Sequence, residues 1–389
     1  MLTQPDLVED EALMLASVDR FIERSVKPVA KELDETETYP AEILEDMKRL
    51  GLFGTIISPD YGGLGLSYTT HAKIVERLSY VWPALISYLN SHLVMAMAVQ
   101  RFGTPEQKSR WLPLFATGEL RGGIGLTEPS GGTDLQALKT RAVRSGDHYI
   151  LNGRKTWITN GVHGQCFAVL ARTSTDKALR HKALSLFMVM KGDGFSASKR
   201  LKKLGFKGVD AAELVFEDFP VPADHLVGGE EGRGFSQIMT SLELGRINAA
   251  ACGVGISQAA LDAALSYAQE RTSFGKPICE HQAVQLRLAD MAIRARAARL
   301  LCYDAAAAYD KGERSDLDAG IAKYFAGEAA LQNATDSMRV FGGYGYSPEF
   351  PIERMYRDAP LLTLGEGTND LQRIIIARQL IEKSRKGSG

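Results

Sequence analysis

Three short segments of the chain combine residue types that could do chemistry. In Leu364-Gly365-Glu366-Gly367-Thr368-Asn369 a carboxylate stands between two glycines, whose missing side chains let a ligand come close. If desolvated, that carboxylate gains basicity, as a general base requires. The same residues also fit a helix start, with Thr368 or Asn369 as cap and Glu366 in water. In Leu126-Thr127-Glu128-Pro129-Ser130-Gly131-Gly132-Thr133-Asp134 three small residues free the backbone and two threonine hydroxyls offer hydrogen bonds. Such a loop can lie flat on a ligand, or simply turn at the surface. In Trp157-Ile158-Thr159-Asn160-Gly161 the two-residue strand period puts Trp157 and Thr159 on one face, offering a flat ring and a hydroxyl to one partner. A Trp packed into a core explains that pattern equally well.

The elements that must position these residues follow from periodicity. From Glu11 to about Gly118 the apolar residues recur at helical spacing, with breaks at Tyr39-Pro40, Pro59 to Gly63 and Gly103-Thr104-Pro105. Beyond Arg121 come short β-branched and aromatic runs. Tyr149 to Leu151 and Lys155 to Ile158 flank Asn152-Gly153, which predicts a hairpin. Further strands are expected at Cys166 to Arg172, Leu184 to Met190 and Ala212 to Phe216, with Pro220 and Pro222 ending the last. The helical period returns over Phe235 to Arg271, Glu280 to Lys311 and Asp316 to Phe341, then after Thr368, with short gaps such as Gly312 to Ser315. The fold expected is α+β and multidomain: an N-terminal helical domain (1–120), a central antiparallel β-barrel or sandwich (121–232) and a C-terminal up-and-down four-helix bundle (233–389).

Composition removes whole classes of function. The 389 residues are 45% hydrophobic and 24% charged, which excludes a disordered chain or a disulfide-stapled miniprotein. Forty-six Lys and Arg against 47 Asp and Glu leave a formal charge of -1, so no global field draws the chain to nucleic acid or an anionic membrane. Cys166, Cys252, Cys279 and Cys302 lie far apart without metal or dithiol spacing, so reduced thiols and no metal site are expected. The acidic amino terminus predicts no export signal. The most apolar stretch, Ala84 to Val99, is broken by Ser87, Tyr88, Asn90, Ser91 and His92 and predicts a core helix rather than a membrane span. With no Gly-x-Gly-x-x-Gly after a strand, no phosphate loop, no nucleophile elbow and no paired-His zinc helix, a Rossmann dehydrogenase, a P-loop enzyme and a serine hydrolase all fit poorly. Asn333-Ala334-Thr335 falls mid-helix and is read as a chance glycosylation motif.

Taken together, the three segments and the helical, β, helical order resemble the acyl-CoA dehydrogenase family over nearly the whole chain. Phe102 to Gln107, Arg271-Thr272-Ser273-Phe274-Gly275, Phe341 to Gly345 and Arg357-Asp358-Ala359 match as well. The resemblance implies a bound FAD. Ile124 to Thr133 would line it, including Leu126 and Gly132, with Thr127 bonding the ring system and Thr133 near both cofactor and substrate. Trp157, Ile158 and Thr159 match the stretch that covers the flavin beside its reacting nitrogen. Arg271, Phe274 and Gln282 match positions that reach the FAD of a neighbouring subunit, Arg271 through its planar fork to the pyrophosphate. Arg339, Gly342, Gly343, Thr368 and Asp370 fall at further cofactor positions, although Arg339 and Asp370 both replace a more usual Gln.

Glu366 matches the catalytic base of the family and Gly367 lies beside the substrate. A subset of relatives carries the base on a helix just before the Arg matching Arg246; here that position is Gly245. Glu243 and Arg246 would border the substrate. The reaction implied is removal of the α proton of an acyl-CoA by Glu366 while the β hydrogen leaves as hydride to the flavin, giving trans-2-enoyl-CoA. A short, branched or medium apolar acyl group is expected, in a homotetramer built as a dimer of dimers. An electron-transfer flavoprotein is the expected acceptor. The expected location is cytoplasmic, or the mitochondrial matrix for a processed eukaryotic chain. Alternatives on the same fold are an acyl-CoA or nitroalkane oxidase and an enoyl-CoA reductase or desulfinase; a non-enzymatic helical scaffold is the alternative from another class.

Overall fold

The computed structural model describes residues 4–198, 200–312 and 316–387. The first third forms helices α1 (Gln4–Phe21), α2 (Ala30–Glu35), α3 (Ala41–Arg49), α4 (Tyr68–Val81), α5 (Ala84–Phe102) and α6 (Pro105–Ala116). Local chemistry starts them. Thr104 and Gln107 form a reciprocal capping box at α6, and Ser67 accepts the Thr70 N–H at α4. The stretch expected as a core helix is α5, buried from Ala84 to Val99 except for Ser87 and Asn90.

The middle of the chain forms strands β1 (Gly122–Gly125), β2 (Arg141–Ser145), β3 (His148–Thr159), β4 (Cys166–Arg172), β5 (Leu184–Met190), β6 (Phe195–Ala197) and β7 (Ala211–Pro222). They make one seven-stranded sheet in the order β1-β4-β2-β3-β7-β6, with β5 added to β4. Pairing is mostly antiparallel, but β1 runs parallel to β4 from Gly122↔Cys166 to Gly125↔Val169, and Arg141 of β2 pairs parallel with Arg172.

Asn152-Gly153 does not turn a hairpin. Residues 148–159 run as one strand along β7, and the register shifts between Leu151 and Gly153. Gly153 has φ +149, and a Cβ there would sit 2.7 Å from the Thr140 Cα, so this glycine permits close approach at a bulge rather than reversal. The turn joining β2 to β3 contains Gly146, at φ +62. Nor does Pro220 end β7, which reaches Pro222 opposite His148.

The last third holds α7 (Gly234–Glu270), the small hairpin of β8 (Thr272–Ser273) and β9 (Lys276–Pro277), α8 (Gln282–Asp310), α9 (Asp316–Phe341), short α10 (Ile352–Asp358) and α11 (Leu361–Leu364), and α12 (Asn369–Gly387). The expected gap from Gly312 to Ser315 lies, after Gly312, outside the described residues. Helix α7 is apolar and long enough to cross a membrane by composition, yet it is mostly buried against α4, α5, α8 and α9. It is the central helix of the bundle, packed among the other helices. All four cysteines are free, with Cys279 half-buried and the rest buried.

Candidate functional site

Glu366 sits in the loop between α11 and α12 at φ +55, with Gly367 at φ +83 behind it. A left-handed glutamate costs energy, and such strain persists only where surrounding contacts over-determine it. Those contacts are present. The Lys323 ammonium on α9 is fully buried and donates to the Gly367 carbonyl at 2.7 Å and to Asn369 Oδ1 at 2.8 Å. Asn369 Nδ2 donates in turn to Glu328, and Gln372 Nε2 to the Glu366 carbonyl at 3.3 Å. Thr368 caps α12 by accepting the Leu371 N–H, so this segment is a helix start, but its carboxylate turns inward rather than into water.

The carboxylate ends between α5, α7 and α9. Oε1 accepts from Asn90 Nδ2 at 2.6 Å, and Oε2 is buried without a partner. Opposite it is Gly245, where a Cβ would stand 2.4 Å from Oε2. Arg246, next in sequence, is buried with its Nε unpaired. Burial pushes the Glu366 carboxyl above the usual carboxylate range, and the Asn90 hydrogen bond with the Lys323 and Arg246 charges pulls partly back. Lys323 is itself lowered to about 8, chiefly by desolvation. Glu243 acts on Arg246 through its charge.

The second group lies where the 126–134 loop meets β3. The Thr156 N–H donates to the Thr127 carbonyl at 2.8 Å, which brings Thr127 beside Trp157. Beneath them is a buried ion pair. Lys155 Nζ lies 2.9 Å from Glu128 Oε1 and 3.1 Å from the Leu126 carbonyl, while Glu128 also accepts the Lys139 and Thr140 N–H groups. Above them Trp157, at φ +60 beside a register shift, leaves 58% of its surface open; it is not a core residue. Leu126 and Ile158 are buried, Ile124, Thr127, Gly132 and Thr159 are half-buried, and Thr133 is exposed.

A third group gathers at the far end of the bundle. Arg271, Gly342, Gly343 and Tyr344 line one open depression of about 560 Å³, with the Arg271 guanidinium 5.9 Å from the Tyr344 ring. Phe274, at φ +49, is 97% exposed. Gln282 starts α8 in the open, while Arg339 turns to Asp336 at 3.3 Å and Asp370 is exposed beside Arg373. Among the described residues no cluster of His, Cys, Asp and Glu could hold a metal.

These surroundings fit a flavin nucleotide. An exposed indole beside a small-residue loop offers the flat apolar wall a ring system needs, and Arg271 over the bare Gly342-Gly343 backbone offers an anion a charged fork and close approach. Asn90, Asn248, Lys323 and the Glu128–Lys155 pair escaped sequence reasoning; the first three are polar or charged groups in largely apolar helical stretches, whereas Glu128 and Lys155 lie among polar and turn residues that give no sign of burial.

Three family models divide the chain among them: the acyl-CoA dehydrogenase N-terminal domain over residues 8–119, the middle domain over 123–219 and the C-terminal domain over 232–381. The short-chain specific acyl-CoA dehydrogenase of Clostridium acetobutylicum is 39% identical over 377 residues, covering 96% of this chain and 99% of the relative. The structure of butyryl-CoA dehydrogenase from Megasphaera elsdenii superposes with TM-score 0.92 at 35% identity, covering 98% of this chain and 99% of that one. That of PigA with FAD and proline does so with TM-score 0.91 at 27% identity, covering 98% of each. With full-length coverage, well-matched relatives and a matching fold, the chain belongs to the acyl-CoA dehydrogenase family.

Proposed function

We propose that this protein oxidises an acyl-CoA thioester with a short apolar chain to its trans-2-enoyl-CoA, with FAD as cofactor and Glu366 as the base that removes the α proton. The observation that carries this reading is the state of one carboxylate. Glu366 is desolvated, raised in pKa and fixed by Asn90, yet keeps Oε2 free. A base with these properties can take a weakly acidic proton and hold it away from water. The Arg246 and Lys323 charges favour its ionised form against the desolvation that raises it. Among the described residues the Glu366 N–H meets no backbone acceptor, so it can donate to the thioester oxygen as negative charge develops there.

Bound FAD supplies the hydride acceptor for the β carbon. Thr127, Trp157 and Thr159 would hold its ring system, with Ile124, Leu126, Gly132, Thr133, Ile158 and Thr368 around it. Arg271, Phe274, Gln282, Gly342 and Gly343 would hold the pyrophosphate end of the FAD of a neighbouring subunit, while Arg339 and Asp370, turned to Asp336 and to solvent, contribute least. Glu243, Arg246 and Gly367 would border the substrate. The short-chain assignment follows the relatives named above.

A shared cofactor makes the working form an oligomer, proposed as a dimer of dimers. Leu286, Ile293 and Leu300 support it: spaced seven apart, they form one exposed apolar stripe along α8. An electron-transfer flavoprotein is the proposed oxidant of the reduced enzyme. The test is anaerobic mixing with a panel of acyl-CoAs, following loss of the oxidised-flavin absorbance, beside Glu366→Gln. Bleaching by short acyl-CoAs that disappears in the variant with FAD still bound is expected. A yellow protein that no saturated acyl-CoA bleaches would overturn the reading.

A further inference from the structure

We infer that the two oxygens of Glu366 have separate tasks: Asn90, braced by Asn248, fixes Oε1, and Oε2, in the space Gly245 leaves, is the oxygen that receives the proton. Asn90 is thus a positioning residue for the base. This rests on Glu366 being the base.

The geometry gives each atom its place. Asn90 Nδ2 lies 2.6 Å from Oε1, and Asn90 Oδ1 accepts from Asn248 Nδ2 at 3.0 Å. Flipping the Asn90 amide would set oxygen against carboxylate and nitrogen against nitrogen, so the two contacts fix its orientation together. Asn90 comes from α5 and Asn248, fully buried, from α7; the carboxylate is therefore aimed by the packing of the N-terminal helices on the C-terminal bundle. Behind Asn248, buried His71 is anchored to Thr55 at 3.0 Å and lowered to about 4 by burial, so it stays neutral and the brace remains uncharged across the working pH. Oε2 has no such partner.

Among the described residues the groups facing Glu366 are few. They are Asn90 on α5, Gly245 and Arg246 on α7 with Glu243 and Asp316 acting on Arg246, Lys323 on α9 with Glu328 near it, and Gln372 on α12. None replaces the Asn90 N–H on Oε1. Losing that donor must raise the carboxyl pKa and free the carboxylate to rotate.

The test uses the flavin-loaded enzyme with Asn90→Leu, near-isosteric Asn90→Asp and Asn248→Leu, each checked for FAD content and Tm. The pH dependence of kcat/KM is measured beside the infrared titration of the carboxyl band that Glu366→Gln removes. In Asn90→Leu the acidic limb and the infrared midpoint should rise together by about one pH unit, an about tenfold loss of kcat/KM on that limb that narrows at alkaline pH. Asn90→Asp should shift them further, because a charge replaces a donor, and Asn248→Leu less. An unmoved midpoint in both Asn90 variants with normal FAD content overturns the inference. If Glu366→Gln keeps turnover, the base assignment fails instead, and the infrared midpoint still reports the Asn90 contact.

Discussion

Glu366 and Phe274 occupy similar backbone and opposite surroundings. Both are non-glycine residues held near φ +50 and followed by a glycine. Glu366 is enclosed: its loop is fixed by Lys323 and Gln372, and its side chain meets Asn90. Phe274 stands on a two-residue hairpin with 97% of its surface bare. A strained residue braced on every side belongs to a site that one subunit completes. A strained aromatic in the open fits the proposal that its site is finished by another copy, docked along the apolar stripe on α8.

The largest test of this contrast is Glu366→Gln. It should lower kcat by about 10³-fold or more with FAD bound and Tm unchanged or raised, since a buried charge is removed. Stopped-flow flavin reduction and a thermal melt read both halves. Next is Gly245→Ala. A methyl 2.4 Å from Oε2 must displace the carboxylate, and kcat should fall about 100-fold while FAD stays bound; unchanged kcat would mean the carboxylate points elsewhere during turnover.

The open site should respond differently. Arg271→Ala and Phe274→Ala should weaken FAD retention by roughly tenfold, measured by flavin release on dilution, while circular dichroism stays that of wild type. A fall in helicity equal to that of a core substitution would erase the distinction. The last effect concerns neither site and leaves the chemistry untouched. Asp358, buried on α10, accepts the Phe206 N–H at 2.5 Å and is raised to about 7 from an ordinary 3.8, first by desolvation and then by Asp34. A raised native pKa gives stability that is complete below the unfolded value and lost as pH rises through the native one. The wild type should therefore lose on the order of 3 kcal/mol between pH 4 and 7 that Asp358→Asn retains, read from denaturant melts across that window.

How much of this was legible varied by element. The long helices after Gly234 were plain in sequence, because a helix writes its period over many turns and each repeat adds to the signal. Asn152-Gly153 misled, because a glycine that accepts positive φ serves a bulge as well as a turn, and only the strand across the ladder distinguishes them. Glu366 stood out through its glycines, whereas Asn90 did not, since one amide in an apolar helix carries no sign of the helix it will face.

The sequence by itself determined the order of helical, sheet and helical regions, the absence of a large net charge and the residue types able to hold a flavin or move a proton. These are local or additive properties. Tertiary structure decided which oxygen of Glu366 is free, that Trp157 faces outward, and that Lys155 reaches Glu128 inside the core. Each depends on contacts between residues far apart in the chain. Glu366 meets Asn90 across 276 positions, and only the packing of α5 and α7 around the last loop sets that distance.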